Sequence, residues 1–313
     1  MTIVAIAIAF MHPLGKAAFA VNVNSEAIVA VPHEVLEPVE ISKAGLPNLP
    51  PSPNWSRYAY AEALIMGRDN QAFNRPLVVA VDPSTFAESP ALSSQDLQFP
   101  YGGGFRTFYG YLGPDCRGWE IGYFGLYNLM ASASVPPGDG IYAFPDNFGP
   151  DLAELGDTVT VTDTTTINSV EANMFHHFER WNVYRKAWLE VDWLTGFRYV
   201  GVEDKARIDL TCCGGLDTYA YRVGTRNNMF GGQIGGRARL NWQRWALEGW
   251  GKAAILGNAA EQYQDPVVSN EGIPLRDYGT STTGTSAAMV ADLNITAIYR
   301  LTKVWGIRAG FNT

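Results

Sequence analysis

The chain has 313 residues, of which 47% are hydrophobic, 12% aromatic and 17% charged, against a usual charged share of about 25%. That length and apolar content suffice for a large core or a large sheet and exclude a disordered chain. A formal charge of −8 argues against nucleic acid as a partner and gives no general attraction to anionic headgroups.

The N-terminus opens on an apolar run, residues 2–10, followed by Ala18-Phe19-Ala20. Its length and the A-x-A spacing predict a signal peptide over 1–20. No basic residue precedes the run, so a start upstream of Met1 and a short apolar strand are the alternatives. Residues 21–54 are Pro-rich, with Leu49-Pro50-Pro51-Ser52-Pro53 as the densest stretch, and read as an extended periplasmic linker. From 55 to 313 no segment approaches the ~20 consecutive apolar residues of a membrane helix.

Beyond residue 55 the apolar period is two. Leu189, Val191, Trp193, Phe197 and Tyr199 alternate with Glu190, Asp192, Gly196 and Arg198. Phe230, Ile234, Ala238, Leu240 and Trp242 alternate with Gln233, Gly235, Arg237, Arg239 and Asn241, and Leu293, Ile295, Ala297 and Tyr299 with Asp292, Asn294, Thr296 and Arg300. Similar runs near 57–68, 104–112, 118–131, 167–178, 243–258 and 304–311 bring the expected strands to nine. The connections alternate long (69–103, 132–166, 204–217, 259–288) with short (113–117, 179–186, the Trp242–Arg244 turn, Thr302–Val304). An up-and-down outer-membrane barrel sorts its loops this way, with short periplasmic turns and long outer loops. Trp55, Trp119, Trp181, Trp188, Trp242, Trp245 and Trp305 fall near strand ends, as in an interfacial girdle. The expected fold is therefore all-β, an antiparallel transmembrane barrel of about 10–12 strands. Arg308 to Thr313 stops inside a strand pattern, as a truncated barrel would.

Several stretches carry a family likeness: Gly104-Phe105-Arg106 through Tyr111-Leu112, Gly118 to Phe124, Asn168 to Asn173, Gly196 to Tyr199, Thr225-Arg226-Asn227-Asn228-Met229-Phe230-Gly231-Gly232-Gln233, Glu248 to Ala253 and Gly257-Asn258-Ala259. Together, over about residues 59–311, they resemble the planctomycete outer-membrane β-barrel family. The resemblance implies export, the bacterial outer membrane and a barrel fold; it carries no reaction, catalytic residue or cofactor.

Three motifs invite a chemical reading and fail it. His176-His177 would point to opposite faces of a strand and so could not chelate one ion together. Gly231-Gly232-Gln233-Ile234-Gly235-Gly236 lacks the Lys-Ser/Thr of a phosphate loop and lies in a strand pattern. Cys116 falls in an expected inner turn and Cys212-Cys213 in an expected outer loop, with the apolar band between them, too distant for a bridge within one barrel.

What remains is the polar face: Glu62, Arg106, Glu120, Glu171, Glu190, Asp192, Arg198, Gln233, Arg237, Arg239, Glu248, Lys252, Asp292, Asn294, Arg300 and Arg308. In a barrel these residues line the lumen, pairing into a plug or leaving a small, weakly selective pore for solutes. On that reading Leu293→Arg, facing lipid, is costly and Asn294→Arg, facing the lumen, is cheap. The expected function is a narrow diffusion pore or a structural envelope protein, not an enzyme. Its partners are outer-membrane lipid, small solutes and whatever the outer loops meet. The competing expectation is a secreted soluble β-sandwich that binds carbohydrate or protein, with these charges on a solvated sheet face.

Overall fold

A computed structural model describes residues 3–7, 56–68, 74–82, 84–85, 87–136, 141–143, 156–178, 180–184, 186–212, 217–270, 273–277, 279–302 and 306–313. The Pro-rich segment 21–54, the Ala18-Phe19-Ala20 site, Trp55, Cys213 and Trp305 lie outside them. Among the described residues no helix is long and apolar enough to cross a membrane.

The period-two pattern folds as antiparallel sheet. The strands are β1 (Ile3–Ala7), β2 (Ser56–Met66), β3 (Pro76–Val81), β4 (Glu88–Ser93), β5 (Gly102–Leu112), β6 (Arg117–Val135), β7 (Ile141–Ala143), β8 (Gly156–His177), β9 (Trp181–Tyr184), β10 (Ala187–Cys212), β11 (Asp217–Trp242), β12 (Trp245–Asn270), β13 (Ile273–Asp277), β14 (Thr280–Arg300) and β15 (Gly306–Asn312). All nine expected strands are present. Two of the four expected long loops are largely strand: most of 204–217 and 259–288 continues as strand, so β10, β11 and β12 each reach 26 residues. A membrane crossing needs only ~9–11, so about half of each long strand extends past any bilayer.

The large sheet runs β9-β10-β11-β12-β14-β15-β1-β2-β5-β6-β8, with β13 on β12. β8 pairs both β6 and β10 in long registers, Glu120↔Asn173 on one side and Arg198↔Glu171 on the other. Stepping from neighbour to neighbour therefore returns to β10 after ten strands, every contact antiparallel. β1 sits between β15 and β2, with Val4 opposite both Phe311 and Ile65. Thus Ile3–Ala7, inside the stretch expected to be a leader, forms a strand. β2 and β15 run in the same direction, and β1 is the antiparallel strand that lets them share a sheet.

Short connections gather at one end. Gln243 takes φ 52° in the two-residue turn between β11 and β12, the sign that such a turn requires at its first position. At the other end a small sheet, β4-β3-β7, packs against the prolonged strands. Val78, Leu92, Leu97 and Tyr142 bury themselves against Ala131 and Val135 of β6, Val159 and Val161 of β8, Ile208 and Leu210 of β10 and Tyr221 of β11.

The two faces of the large sheet are inverted relative to a soluble protein. Outward positions are apolar and exposed, among them Ile121, Met174, Trp193, Phe197, Phe230, Ile234, Leu247, Ile255, Leu293 and Ile295. From Leu189 to Gly201 on β10, Trp242 back to Asn228 on β11, Trp245 to Ala259 on β12 and Tyr299 back to Ala287 on β14, no outward position bears a charge. Thirteen residues of tilted strand span about 30 Å. On these four strands outward charges appear above this band, among them Glu203, Lys205, Arg207, Arg222 and Arg226. Trp119, Trp181, Trp242 and Trp245, all exposed, ring its short-turn edge, with Trp245 against Tyr299 at 4.7 Å.

Candidate functional site

The inward face carries the polar residues that the alternation singles out. Glu62 (β2), Arg106 (β5), Glu120 (β6), Glu171 (β8), Asp192 and Arg198 (β10), Gln233 (β11), Glu248 and Lys252 (β12), Asn294 (β14) and Arg308 (β15) are buried. Glu190, Arg237, Arg239, Asp292 and Arg300 are half-buried on the same side. All sixteen share one face.

Ion pairs and hydrogen bonds gather them into neighbouring clusters. Glu62 pairs with Arg106 and, at 3.1 Å, with Arg308 Nε. Arg308 reaches on to Glu248 at 2.7 Å, and Glu248 also receives Arg239. Arg237 lies 2.6 Å from Asp192 and 3.3 Å from Glu120, while Lys252 lies 2.9 Å from Glu171 and 3.5 Å from Glu120. Gln233 donates to Glu171 at 2.7 Å, and Arg198 pairs with Asp292. At the short-turn end Arg300 donates to Asn241, and Asn241 donates to Glu190 at 3.1 Å.

The span of these bonds matters as much as their number. β8 and β12 stand three ladder steps apart, as do β6 and β11, and β10 and β14. At ~4.8 Å a step that is about 14 Å along the sheet. Lys252–Glu171, Arg237–Glu120 and Arg198–Asp292 nevertheless touch, so side chains on this face meet across several strands. A buried charge left alone is costly, and reciprocal pairing of both signs is what makes so many tolerable together.

Aromatic rings complete the packing. Arg308 lies 4.5 Å from the Tyr60 ring centre, Lys252 lies 4.9 Å from Phe108 and 4.8 Å from Trp250, and Tyr60 stacks on Phe108 at 5.1 Å. Glycine on the next strand makes the room: a Cβ at Gly122 would come within 2.3 Å of the Phe108 ring. A residual cavity of about 10 Å³ between Tyr60, Glu120, Arg237 and Lys252 holds no more than about one water. Toward the capped end the interior carries two apolar clusters, Leu64, Met66, Leu126 and Leu129 in one and Val200, Met229, Ala254 and Leu256 in the other.

The expectation of a cheap Asn294→Arg does not survive this geometry. Asn294 is 2% exposed, donates to Phe311 O at 3.2 Å and bonds Asn312, so an arginine there has no lumen water to enter. The alternation also passed over Tyr60, Phe108, Asn173, Trp250 and Asn312. Each stands in phase with a named charge on its own strand, which was the available signal. Arg68 was missed as well; it follows β2, pairs with Asp204 at 3.0 Å and lies 4.6 Å from Phe99 of the capping region.

The other motifs take structural places. His177 Nδ1 lies 2.5 Å from Asp192 inside one of these clusters, while His176 lies on the opposite face with its ring edge-on to Phe178. Gly231 to Gly236 lie within β11, paired on both sides. Cys116 is a free thiol in the β5–β6 turn, and Cys212 closes β10 at the opposite end.

No protein-family model matches the chain, and neither does any curated protein or solved structure.

Proposed function

We propose that the chain is a β-barrel of the bacterial outer membrane whose interior is sealed, so that it serves the envelope as a structural protein rather than as a diffusion pore. The observation that carries the reading is the inversion of the two faces: a charge-free apolar band exposed outside and clusters of paired charges buried inside. A soluble sandwich buries its apolar face, and monomeric soluble proteins rarely leave apolar patches beyond a few hundred Å² in water. Closure is supported by the ten-strand pairing circuit and by the ion pairs that cross it. Sealing is supported by the charged side chains that meet across the circuit and by the apolar clusters above them. The likeness of residues 59–311 to the planctomycete outer-membrane family points to the same location.

The test has two parts. The protein should require detergent for extraction and migrate faster unheated than heated on a denaturing gel, as closed barrels do; recovery of full-length protein without detergent overturns the membrane reading. In planar bilayers it should insert without stepwise conductance; reproducible single-channel steps from wild type would restore the pore.

A further inference from the structure

The outward face carries one feature that a uniform lipid-facing wall does not need. Between β6, β8 and β10 lies a depression of about 430 Å³ whose outward-facing lining is Trp119, Ile121, Ala172, Met174 and Thr195, with Glu120, Asn173 and Gly196 between them, a size within the range of small-molecule sites. Its floor is low because Ala172 and Thr195 are short, and Trp119 and Met174 rise beside them. The strand registers fix what stands at its short-turn end: Trp119 pairs with Met174, and one outward step below, Arg117 pairs with His176. Arg117 is exposed and has no ion-pair partner among the described residues. Asp115 stands close by, but its Oδ1 accepts the Arg117 backbone N–H at 3.4 Å. An apolar trough thus ends on an uncompensated guanidinium and an imidazole.

We propose that this trough binds a membrane glycerophospholipid, one acyl chain lying over Ala172 and Thr195 and the phosphate held by Arg117 and His176. The inference rests on the membrane reading above. A guanidinium offers paired donors that match phosphate oxygens. The site also sits where lipid chemistry requires it, with the chain groove inside the apolar band and the cation at the tryptophan edge, the depth of the headgroups. The net negative charge of the whole chain does not oppose it, because the attraction is local and short in range.

The experiment uses the full chain purified in a neutral detergent, with the temperature of the heat-induced gel shift as readout. Phosphatidylglycerol should raise that temperature saturably, a diacylglycerol less, and inorganic phosphate not at all. Ala172→Trp fills the trough from the lipid side and should abolish the response to both lipids; Thr195→Phe is the second filling variant. Arg117→Gln should reduce the phosphatidylglycerol response to that of diacylglycerol. The gel shift without lipid reports whether each variant is folded. Equal responses in wild type and the filling variants, or a full response to inorganic phosphate alone, overturn the site. A protein that shows no heat-dependent shift at all would refute the barrel instead, so the two failures are distinct.

Discussion

At the scale of single residues, the inverted faces predict opposite kinds of sensitivity. Glu248 is 2% exposed and binds both Arg239 and Arg308. Glu248→Ala leaves the buried Arg308 and the half-buried Arg239 short of an acceptor, and breaking such a buried pair costs about 3–5 kcal/mol. Leu293 is 60% exposed, so in water Leu293→Arg would be nearly neutral, whereas in a bilayer it costs about 2–4 kcal/mol. Urea unfolding of both variants in lipid vesicles is expected to show both losses. In a soluble protein only Glu248→Ala would be destabilised, so an unaffected Leu293→Arg variant removes the membrane. These two neighbouring classes of residue were separable in the sequence because one residue of strand turns a side chain to the other face. The partners were not separable: nothing in a period of two says that Lys252 meets Glu171 rather than Asp292 beside it, since that choice depends on how the sheet curves back.

At the scale of the element, alternation located strands but not their full length or their irregularities. β6 begins with even positions inward, Glu120 and Leu126, and ends with odd ones, Leu129, Ala131 and Val135. The register to β8 shifts between Leu126 and Leu129, and Asn128 there takes φ 53°. The run Gly125-Leu126-Tyr127-Asn128-Leu129-Met130 hides this bulge, because apolar residues flank it on both faces. Asparagine tolerates left-handed backbone and a β-branched residue does not. Asn128→Val should therefore lower stability by about 1–2 kcal/mol, and Asn128→Gly should not, measured as the shift in the urea midpoint. The prolonged strands escaped the sequence reading for a related reason: above the apolar band both faces are polar, as in Thr280 to Ser286 of β14, and a polar strand reads as a loop. β1 is the converse case, apolar throughout and so indistinguishable from a leader. Its register sets Val4 opposite Phe311, which predicts that Val4→Cys combined with Phe311→Cys forms a disulfide in the membrane-embedded protein. A mature chain that begins after Ala20, with no cross-link, would mean that β1 is removed and that another strand separates β2 from β15.

At the scale of the whole molecule, the two ends differ in build, and under the proposed membrane reading that difference predicts an orientation. One end has tight turns, including the two-residue Gln243-Arg244 connection, a tryptophan edge and the free thiol of Cys116. The other has strands that overrun the apolar band and a small capping sheet seated on them. Short turns can be threaded across a bilayer during insertion more readily than a folded cap, and barrels of the outer membrane keep short turns on the periplasmic side. The chain direction agrees, since the Pro-rich segment 21–54 joins β2 at the short-turn end. In a Cys212→Ser, Cys213→Ser background, Cys116 should then resist a membrane-impermeant maleimide on intact cells and react once the outer membrane is permeabilised. Ser281→Cys in the same background lies on the exposed overrun of β14 and should react on intact cells without permeabilisation. Labelling of Cys116 alone on intact cells inverts the orientation and places the cap in the periplasm. Labelling of both at equal rates means that no bilayer separates them, and the sealed-barrel reading then falls with the orientation.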